Sequence, residues 1–267
     1  MNTTRFRFRG GVIASIVCLA FSAAHLAHAD QLDDIKKAGV VRVAIAIGTP
    51  LFSYADDNLQ PAGSDVDAAR ALAKDLGVKL QLVQITTGAR VATLQANRAD
   101  MVISALSVTP ERQKVVDFSI PYAVITIIVG APKEMHITGY PDLVGKTIGL
   151  SRATTNDMIT TAQAKGAEIK RFEDDATLIT SVVTGQVDIF SSTPSNLLEI
   201  QKRGPNRHME LKFAQKDYDL GIAMNKGQPA LLQWVNNWVS VNQKNGNLNT
   251  IYKKYHGRDL PASVVKG

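Results

Sequence analysis

Strand-like and helix-like segments alternate along this chain, and they form two successive series with the same order of elements. The first series has three strand patterns and two helical patterns, at residues 40–47, 65–77, 79–85, 90–100 and 101–106. The second series has the same composition, at residues 146–150, 154–166, 168–172, 175–185 and 187–192. Alternation of this kind predicts an α/β architecture with mainly parallel sheets.

The remaining patterns extend these two series. A strand pattern at 123–131 joins them, a helix is predicted from Pro194, and a strand at 218–224 precedes a long amphipathic helix at 229–246. A short helix over 248–257 follows. We find no residue-level repeat, but two α/β units predict two small lobes with a groove between them. In such sheets, ligands collect at the carboxyl ends of the strands, where helix N-termini point.

Residues 1–29 have the pattern of a secretory signal. Three arginines without an acid come first, an apolar run covers residues 11–24, and the small residues Ala27 and Ala29 precede Asp30. This order predicts export, with cleavage before Asp30. A membrane anchor is the alternative, but the apolar run is short for a span of about 20 residues.

Composition excludes several classes of function for the mature chain. Its 238 residues contain no cysteine, because Cys18 lies in the signal; Val17 fits a lipid-modified cysteine poorly, although an anchor there stays open. Three of the 30 Lys and Arg residues also belong to the signal, which leaves 27 against 24 acids. No basic cluster is interleaved with aromatics, so no nucleic-acid partner is predicted. His136, His208 and His256 lack metal-ligand spacing, and we expect no metal or cofactor.

The segment "LSVTPERQKVVDFSIPY" has an arginine at a position where helix electrostatics disfavour a positive charge. Thr109 and Pro110 predict a helix start, because threonine caps well and proline suits the first helical position. Arg112 then falls in the first turn, where the helix dipole disfavours a cation. A surface ion pair with Glu111 or Asp117 is one interpretation of this arginine. Binding of an anion is the other.

Five segments, in chain order, resemble the polar-amino-acid family of periplasmic solute-binding proteins, which are family 3 substrate-binding proteins of ABC transporters. The segments are "GSDVDAARALAKDLG", "RVATLQANRADMVISALSVTPERQKVVDFSIPY", "GKTIGLSRATTND", "GQVDIF" and "NGNLNTIYKKYHG". The resemblance covers essentially all of the mature chain. No single segment is diagnostic, but their combination in this order is specific.

The resemblance implies a type II periplasmic binding protein fold with two lobes. Two mainly parallel sheets flanked by helices would be joined by two crossovers, near 122–126 and 214–222. Lobe 1 would then comprise residues 30–122 plus 223–267, and lobe 2 residues 123–222.

The resemblance also implies the ligand contacts. Arg112 matches the arginine that grips the ligand's carboxylate, for which a planar guanidinium offers paired donors. Ser107 matches a supporting hydroxyl, and Ala105 a position that contacts ligand through its backbone or a hydroxyl. Thr154 and Thr155 match a helix start in lobe 2 whose N–H groups meet the same carboxylate. A strand-end turn for Ser107 and a plain helix cap for Thr154 are the structural alternatives.

Departures from the family pattern concern the rest of the ligand. Thr193 stands where relatives that bind α-amino acids carry an aspartate for the α-ammonium group. Asp217 and Asp219 are candidates to substitute for it, although their interpretation as solvated turn acids is favoured. Thr49 and Thr87 stand where relatives often carry aromatic residues, and an acid common near the first of these is missing. These positions predict a small or polar ligand rather than a basic one. Arg90, by contrast, matches a common family arginine that braces the cleft.

The resemblance therefore implies a periplasmic, monomeric substrate-binding subunit of an ABC importer, which is not an enzyme. It would close around a small carboxylate-bearing solute, foremost a non-basic amino acid, and deliver it to permease subunits at the membrane. Three alternatives stay open. The ligand would be an organic acid without an amine, the chain would be a receptor-linked sensor, or it would resemble cyclohexadienyl dehydratase. The glutamate general acid of that enzyme aligns nearest to Asn196, which cannot donate a proton at neutral pH.

Overall fold

The structure, a computed structural model, describes Met1 and residues 30–265 of the 267-residue chain, so the predicted signal lies outside the described residues. The strands are β1 (Val40–Ala46), β2 (Tyr54–Ala55), β3 (Pro61–Ala62), β4 (Lys79–Ile85), β5 (Met101–Val102), β6 (Val116–Phe118), β7 (Ala123–Pro132), β8 (Thr147–Ser151), β9 (Glu168–Phe172), β10 (Ile189–Ser192), β11 (Met209–Leu220) and β12 (Ala223–Asn225). The helices are α1 (Gln31–Ala38), α2 (Ser64–Leu76), α3 (Arg90–Gln95), α4 (Pro110–Gln113), α5 (Thr155–Gln163), α6 (Asp175–Val183), α7 (Pro194–Arg203), α8 (Pro229–Lys244), α9 (Asn247–His256) and α10 (Ala262–Val265).

Ten of these twelve strands form two five-stranded sheets, one in each lobe, with the orders β4-β1-β5-β12-β6 and β11-β7-β10-β8-β9, and β2 pairs with β3 in a separate two-stranded sheet. In the first sheet, β1 pairs in parallel with β4 and β5, and β12 is antiparallel to β5 and β6. In the second, β8 pairs in parallel with β9 and β10, and β7 is antiparallel to β10 and β11. One strand therefore runs against four in each sheet, which confirms the predicted mainly parallel α/β fold.

Amphipathic helices cover these sheets, as their sequence patterns predict. The apolar face of α2 is buried, and the helix ends at Gly77, whose left-handed φ of 75° suits glycine. In α8, the stripe of Leu231, Val235, Trp238 and Val239 packs into the core of lobe 1. Among the described residues, no helix is long and apolar enough to cross a membrane.

Three predicted elements differ most from the structure. The strand predicted over 101–106 stops after Val102, and Ala105 turns left-handed, with φ 43°. The helix predicted over 90–100 ends at Gln95, two residues before Asn97, which is also left-handed. The strand predicted over 218–224 is two strands, because β11 ends at Leu220 and β12 begins at Ala223.

The helix that begins after Thr109 is a single turn. Thr109 caps it by accepting a hydrogen bond from the backbone N–H of Arg112 at 3.3 Å, and proline occupies its first turn, as predicted. Four residues carry little macrodipole, because the dipole is a sum over aligned peptide units. The helix dipole therefore disfavours a cation at Arg112 only weakly. The role of Arg112 depends on its tertiary contacts.

The lobes are connected by the two longest strands. β7 and β11 pair antiparallel along their length, from Ala123 opposite Leu220 to Pro132 opposite Met209. An isolated bridge between Ser107 and Leu220 attaches this ribbon to lobe 1. The chain thus passes between the lobes twice, and the exact division at residues 123 and 222 stays a prediction.

Candidate functional site

Three helices of lobe 2 begin where strands of its sheet end, and their first turns face lobe 1. α5, α6 and α7 follow β8, β9 and β10, and their caps are Thr154, Asp174 and Thr193. Each cap oxygen accepts a hydrogen bond from the backbone N–H three residues further on, at 3.2, 2.8 and 3.3 Å respectively. This arrangement directs the positive ends of three helices toward the cleft.

A small cavity lies between these helix starts and lobe 1. The space that the centre of a water molecule can reach measures about 20 Å³, enough for about one water. Seven of the eight predicted ligand residues line it: Thr49, Thr87, Ala105, Ser107, Thr154, Thr155 and Thr193. The remaining lining residues were not predicted to contact ligand: Arg90, Ile125, Ile127, Asn156 and Asp175.

Direct contacts join the two lobes across this cavity. The hydroxyls of Ser107 and Thr155 lie 3.2 Å apart, and the hydroxyl of Thr49 donates to Asp175 at 3.4 Å. The lobes therefore lie against each other in a closed arrangement.

Arg112 flanks this cavity rather than lining it. Its side chain is buried, Nη1 donates to the carbonyl of Ser107 at 2.9 Å, and Nη2 donates across the cleft to the carbonyl of Ala153 at 3.3 Å. Burial, followed by the charge of Arg90, lowers the pKa of Arg112 to about 9. The guanidinium fork thus stands at the seam between the lobes with only neutral acceptors.

The surface ion pair considered for Arg112 does not form. Asp117 instead pairs with Lys226 at 2.9 Å, and Glu111 makes no ion pair among the described residues. No acid within residues 30–265 lies within ion-pair distance of Arg112. Its positive charge is buried and uncompensated, which is costly unless an anion arrives.

Arg90 braces the wall of lobe 1 and also faces the cavity. Its Nε donates to the carbonyl of Thr87 at 2.7 Å, and its Nη1 donates to those of Ser104 and Ala105 at 2.9 and 3.0 Å. Its Nη2 makes no hydrogen bond with any residue of the described part of the chain. Burial lowers the pKa of Arg90, and the charge of Asp175 opposes that shift.

The same wall is held from behind by a buried carboxyl group. Asp65, at the start of α2, accepts hydrogen bonds from the backbone N–H of Ala105 at 2.7 Å and from the hydroxyl of Tyr122 at 2.9 Å. Burial raises the pKa of Asp65 to about 7, although both hydrogen bonds oppose the shift. Because Ala105 is left-handed without being glycine, this support holds a strained backbone beside the cavity.

On the opposite wall, Thr154 presents the start of α5. Besides capping the helix, its hydroxyl donates to the carbonyl of Ser151 at 2.6 Å. Ala153, just before it, is left-handed with φ 56°. The first N–H groups of the helix, on Thr155 and Asn156, have no acceptor within the helix and lie at the cavity.

Asp175 is the acidic cavity residue that the sequence interpretation missed. Its carboxylate accepts from the Ser151 hydroxyl at 2.5 Å and, more weakly, from Thr49 across the cleft. Burial raises its pKa, and hydrogen bonds and the charge of Arg90 oppose this rise. The available signal was the pair Asp174-Asp175 at a predicted helix start, where one acid caps and the next occupies the first helical position.

The candidate substitutes for a carboxylate at position 193 lie elsewhere. The Thr193 hydroxyl is 3.0 Å from that of Ser195 and caps α7 at Asn196. Asp217 and Asp219 are exposed on β11, in agreement with their interpretation as solvated acids. In the described part of the chain, no group of three or more His, Cys, Asp or Glu side chains is arranged to hold a metal ion.

Comparison with known proteins gives a family match over most of the chain. The profile of the bacterial extracellular solute-binding proteins, family 3, matches residues 41–258. The L-cystine-binding protein TcyJ of Escherichia coli (strain K12) is 28% identical over 252 residues, covering 94% of this chain and 95% of that protein.

Two further similarities concern an enzyme and its precursor. The cyclohexadienyl dehydratase of Pseudomonas aeruginosa is 29% identical over 252 residues, covering 88% of this chain and 90% of that protein. Among solved structures, the ancestral amino acid-binding protein AncCDT-1, a precursor of cyclohexadienyl dehydratase, superimposes with a TM-score of 0.78 at 33% identity. That match covers 84% of this chain and 99% of that structure. The fold is the type II periplasmic binding protein fold.

Proposed function

The chain belongs to the bacterial extracellular solute-binding proteins of family 3, and from this membership and the geometry of its cleft we propose that it captures a small carboxylate-bearing solute for an ABC importer. Arg112 carries the proposal. Its guanidinium is buried at the seam between the lobes, has no acid partner among the described residues, and bonds only to two backbone carbonyls. A carboxylate supplies the missing counter-charge, with two oxygens that match the two nitrogens of the fork.

The second lobe completes the carboxylate site. The N–H groups at the start of α5 lie across the cavity from Ser107, whose hydroxyl is 3.2 Å from that of Thr155. A carboxylate held by Arg112 on one lobe and by these donors on the other favours the closed state by the difference in its contacts between open and closed forms. Binding energy is thereby converted into hinge closure.

The remainder of the ligand must be small or polar. Thr49 and Thr87 leave no aromatic wall at their positions in the cavity. The L-cystine-binding relative supports a non-basic amino acid as the class of ligand. The side chains of lysine and arginine would add a further cation to a cleft that already holds Arg90 and Arg112.

Export and delivery follow from the same assignment. Relatives in this family are periplasmic binding proteins, and we propose that this chain is exported by the signal at residues 1–29 and acts as a monomer in the periplasm. Lobe 1 (30–122 plus 223–267) and lobe 2 (123–222) would close as rigid bodies about the β7–β11 ribbon. The closed form would then dock on the permease subunits at the membrane.

Ligand screening tests the proposed function. Isothermal titration calorimetry of the mature protein with L-serine, L-cysteine, L-cystine, L-glutamine, L-lysine, L-arginine and small organic acids should identify a carboxylate ligand and reject the two basic amino acids. Arg112→Ala should then weaken binding about 100-fold or more, since two charge-assisted hydrogen bonds are lost. Arg98→Ala, which removes an exposed arginine of the same lobe, is the matched control. Unchanged affinity in Arg112→Ala would refute the clamp.

A dehydratase activity is the second candidate, and Asp175 is the observation that favours it. Its buried carboxyl group has a raised pKa, as a general acid requires, and it lines the cavity. Asn196, nearest to the relative's general acid, has no proton to donate. We expect no turnover when the purified protein is incubated with prephenate and product is followed by absorbance. Turnover that disappears in Asp175→Asn would establish the enzyme instead.

A further inference from the structure

The charged groups around the cavity are unpaired, and they are of both signs. Arg90 and Arg112 supply two buried cations, and Asp175 is the one acid among the described residues that line the cavity. None of the three forms an ion pair with any residue in the part of the chain that the structure describes. A buried charge without a partner of opposite sign costs folding free energy. The cleft is therefore complementary to a ligand that carries one positive and one negative charge.

Asp175 is oriented for such a ligand by both lobes. Its Oδ1 accepts a short hydrogen bond from Ser151, on its own lobe, at 2.5 Å. Its Oδ2 accepts a long contact of 3.4 Å from Thr49, on the opposite lobe, and the side chain of Asn196 also lies close enough to lower the pKa of Asp175. Neutral hydroxyl and amide groups thus fix the carboxylate without neutralising it, and the contact between Oδ2 and Thr49 is weak enough to be exchanged for a stronger donor.

No other described acid competes for this role. Thr193 offers only a hydroxyl, which already caps α7 and contacts Ser195. Asp217 and Asp219 are exposed on β11. Asp65 is buried behind Ala105 and does not line the cavity.

We propose that Asp175 receives the α-ammonium group of a zwitterionic amino acid, in place of a carboxylate at position 193. The inference rests on the proposed function, since Arg112 must hold the carboxylate of the same ligand. It narrows the ligand class from carboxylates in general to α-amino acids. The amine would donate to Oδ2 of Asp175 and displace the long contact from Thr49.

Matched ligand pairs test this assignment. The mature protein is titrated with L-serine against 3-hydroxypropionate, L-cysteine against 3-mercaptopropionate, and L-glutamine against glutaramate, which differ only in the α-amine. For the pair that binds, the amino acid should bind about 10- to 150-fold more tightly, as one hydrogen bond between charged groups allows. Asp175→Asn, which keeps the shape of the side chain, should abolish this preference without weakening the amine-free member.

Asp174→Asn is the matched control. It removes the same charge one residue earlier, from a partly exposed cap, and asparagine still caps a helix. This variant should retain the full preference for the amine. Circular dichroism checks the fold of each variant, and Asp175→Ser replaces Asp175→Asn if that variant does not fold.

The outcomes separate the two hypotheses. If the wild-type protein binds carboxylates without preferring the amine, or if Asp175→Asn weakens both members of a pair equally, the assignment of Asp175 is wrong and the carboxylate clamp stands. If no member of any pair binds to the wild-type protein, the proposed function fails and this inference fails with it. A preference that is lost only in the Asp175 variant supports the inference.

Discussion

The two walls of the cleft are built on different principles. The wall of lobe 1 consists of buried side chains, in which Asp65 and Arg90 hold the backbone around Ala105 from opposite sides. The wall of lobe 2 consists of helix starts, in which hydroxyl and carboxylate caps such as Thr154 and Thr193 present free backbone N–H groups. The wall of lobe 1 relies on side chains that carry formal charges. The wall of lobe 2 relies mainly on partial charges of the backbone, and Asp175 is the one acid among its described residues that line the cavity.

This difference determines what each wall costs and how it fails. A buried ionic network is tightly coupled, so the loss of one member leaves its partners unsatisfied in a region without water. Helix caps are more nearly independent, and each contributes about 1 kcal/mol. We therefore expect large and coupled effects from lobe 1 and small, separable effects from lobe 2.

The largest effect should come from Asp65→Ala. This change leaves the hydroxyl of Tyr122 and the N–H of Ala105 without acceptors, and should lower the free energy of unfolding by about 3 kcal/mol. Urea denaturation measures the loss. Tyr122→Phe removes only one of the two hydrogen bonds and should cost about 1 kcal/mol. Equal stability of Asp65→Ala and the wild-type protein would show that the wall is not held from behind.

The same carboxyl group should make stability depend on pH. Its folded pKa of about 7 lies above the ordinary value of 3.8, so the folded state binds the proton more tightly than the unfolded state. The resulting advantage is present at pH 4 and is lost as the pH rises through 7, at a cost of about 2–4 kcal/mol. Asp65→Asn cannot titrate, so its unfolding free energy should change less than that of the wild-type protein between pH 4.5 and 7.5. Parallel profiles for the two proteins would contradict the assignment.

In lobe 2, Thr154→Ala should have a smaller effect. Loss of the cap on α5 should lower the free energy of unfolding by about 1 kcal/mol and weaken ligand binding a few-fold, because the helix start becomes less ordered. Thr154→Ser keeps the hydroxyl and should behave as the wild-type protein does. A loss as large as that of Asp65→Ala would remove the contrast between the two walls.

The Gly88→Ala substitution should affect closure of the lobes and leave the stability of the unliganded fold unchanged. A Cβ at this position would lie 3.3 Å from the carbonyl oxygen of Arg152 on the other lobe, a tight contact that exists only when the lobes are closed. The variant should bind ligand about fivefold more weakly, since mild overpacking costs about 1 kcal/mol. Without ligand, the midpoint of its thermal unfolding should agree closely with that of the control Gly139→Ala. A Cβ at Gly139 would meet only the nearby Pro141. Unchanged affinity would indicate that bound ligand keeps the lobes further apart.

Most of the fold was predictable from local patterns. The bounds of β4 and β9 agree with prediction to the residue, and α2 begins one residue before its predicted start. Such agreement is expected, because strand alternation and helical periodicity both reflect one buried face. β11 was missed before residue 218, since "MELKFAQKDYDL" carries polar residues on its exposed face and pairs only with the distant β7. A long antiparallel partner is not visible in local sequence.

The site was predicted less evenly. Seven of the eight predicted ligand residues line one cavity, whereas Arg112 flanks it and stays a prediction as the clamp. The helix dipole predicted that a cation would be unfavourable at Arg112, but α4 has four residues and carries little dipole. Asp175 was missed because an acid at a helix start is ordinarily a solvated cap. Its burial depends on the closure of a second lobe over it.

Local sequence was enough to predict which segments become strands and helices, where helices cap, and that two α/β units follow each other, because these properties depend on neighbours a few residues apart. Which charges share the cleft depends on how the two lobes fold and meet. Arg112, Arg90 and Asp175 lie far apart along the chain, and only the folding of both lobes removes water from all three. Their desolvation, rather than their spacing, turns ordinary charged residues into a candidate site for a zwitterion.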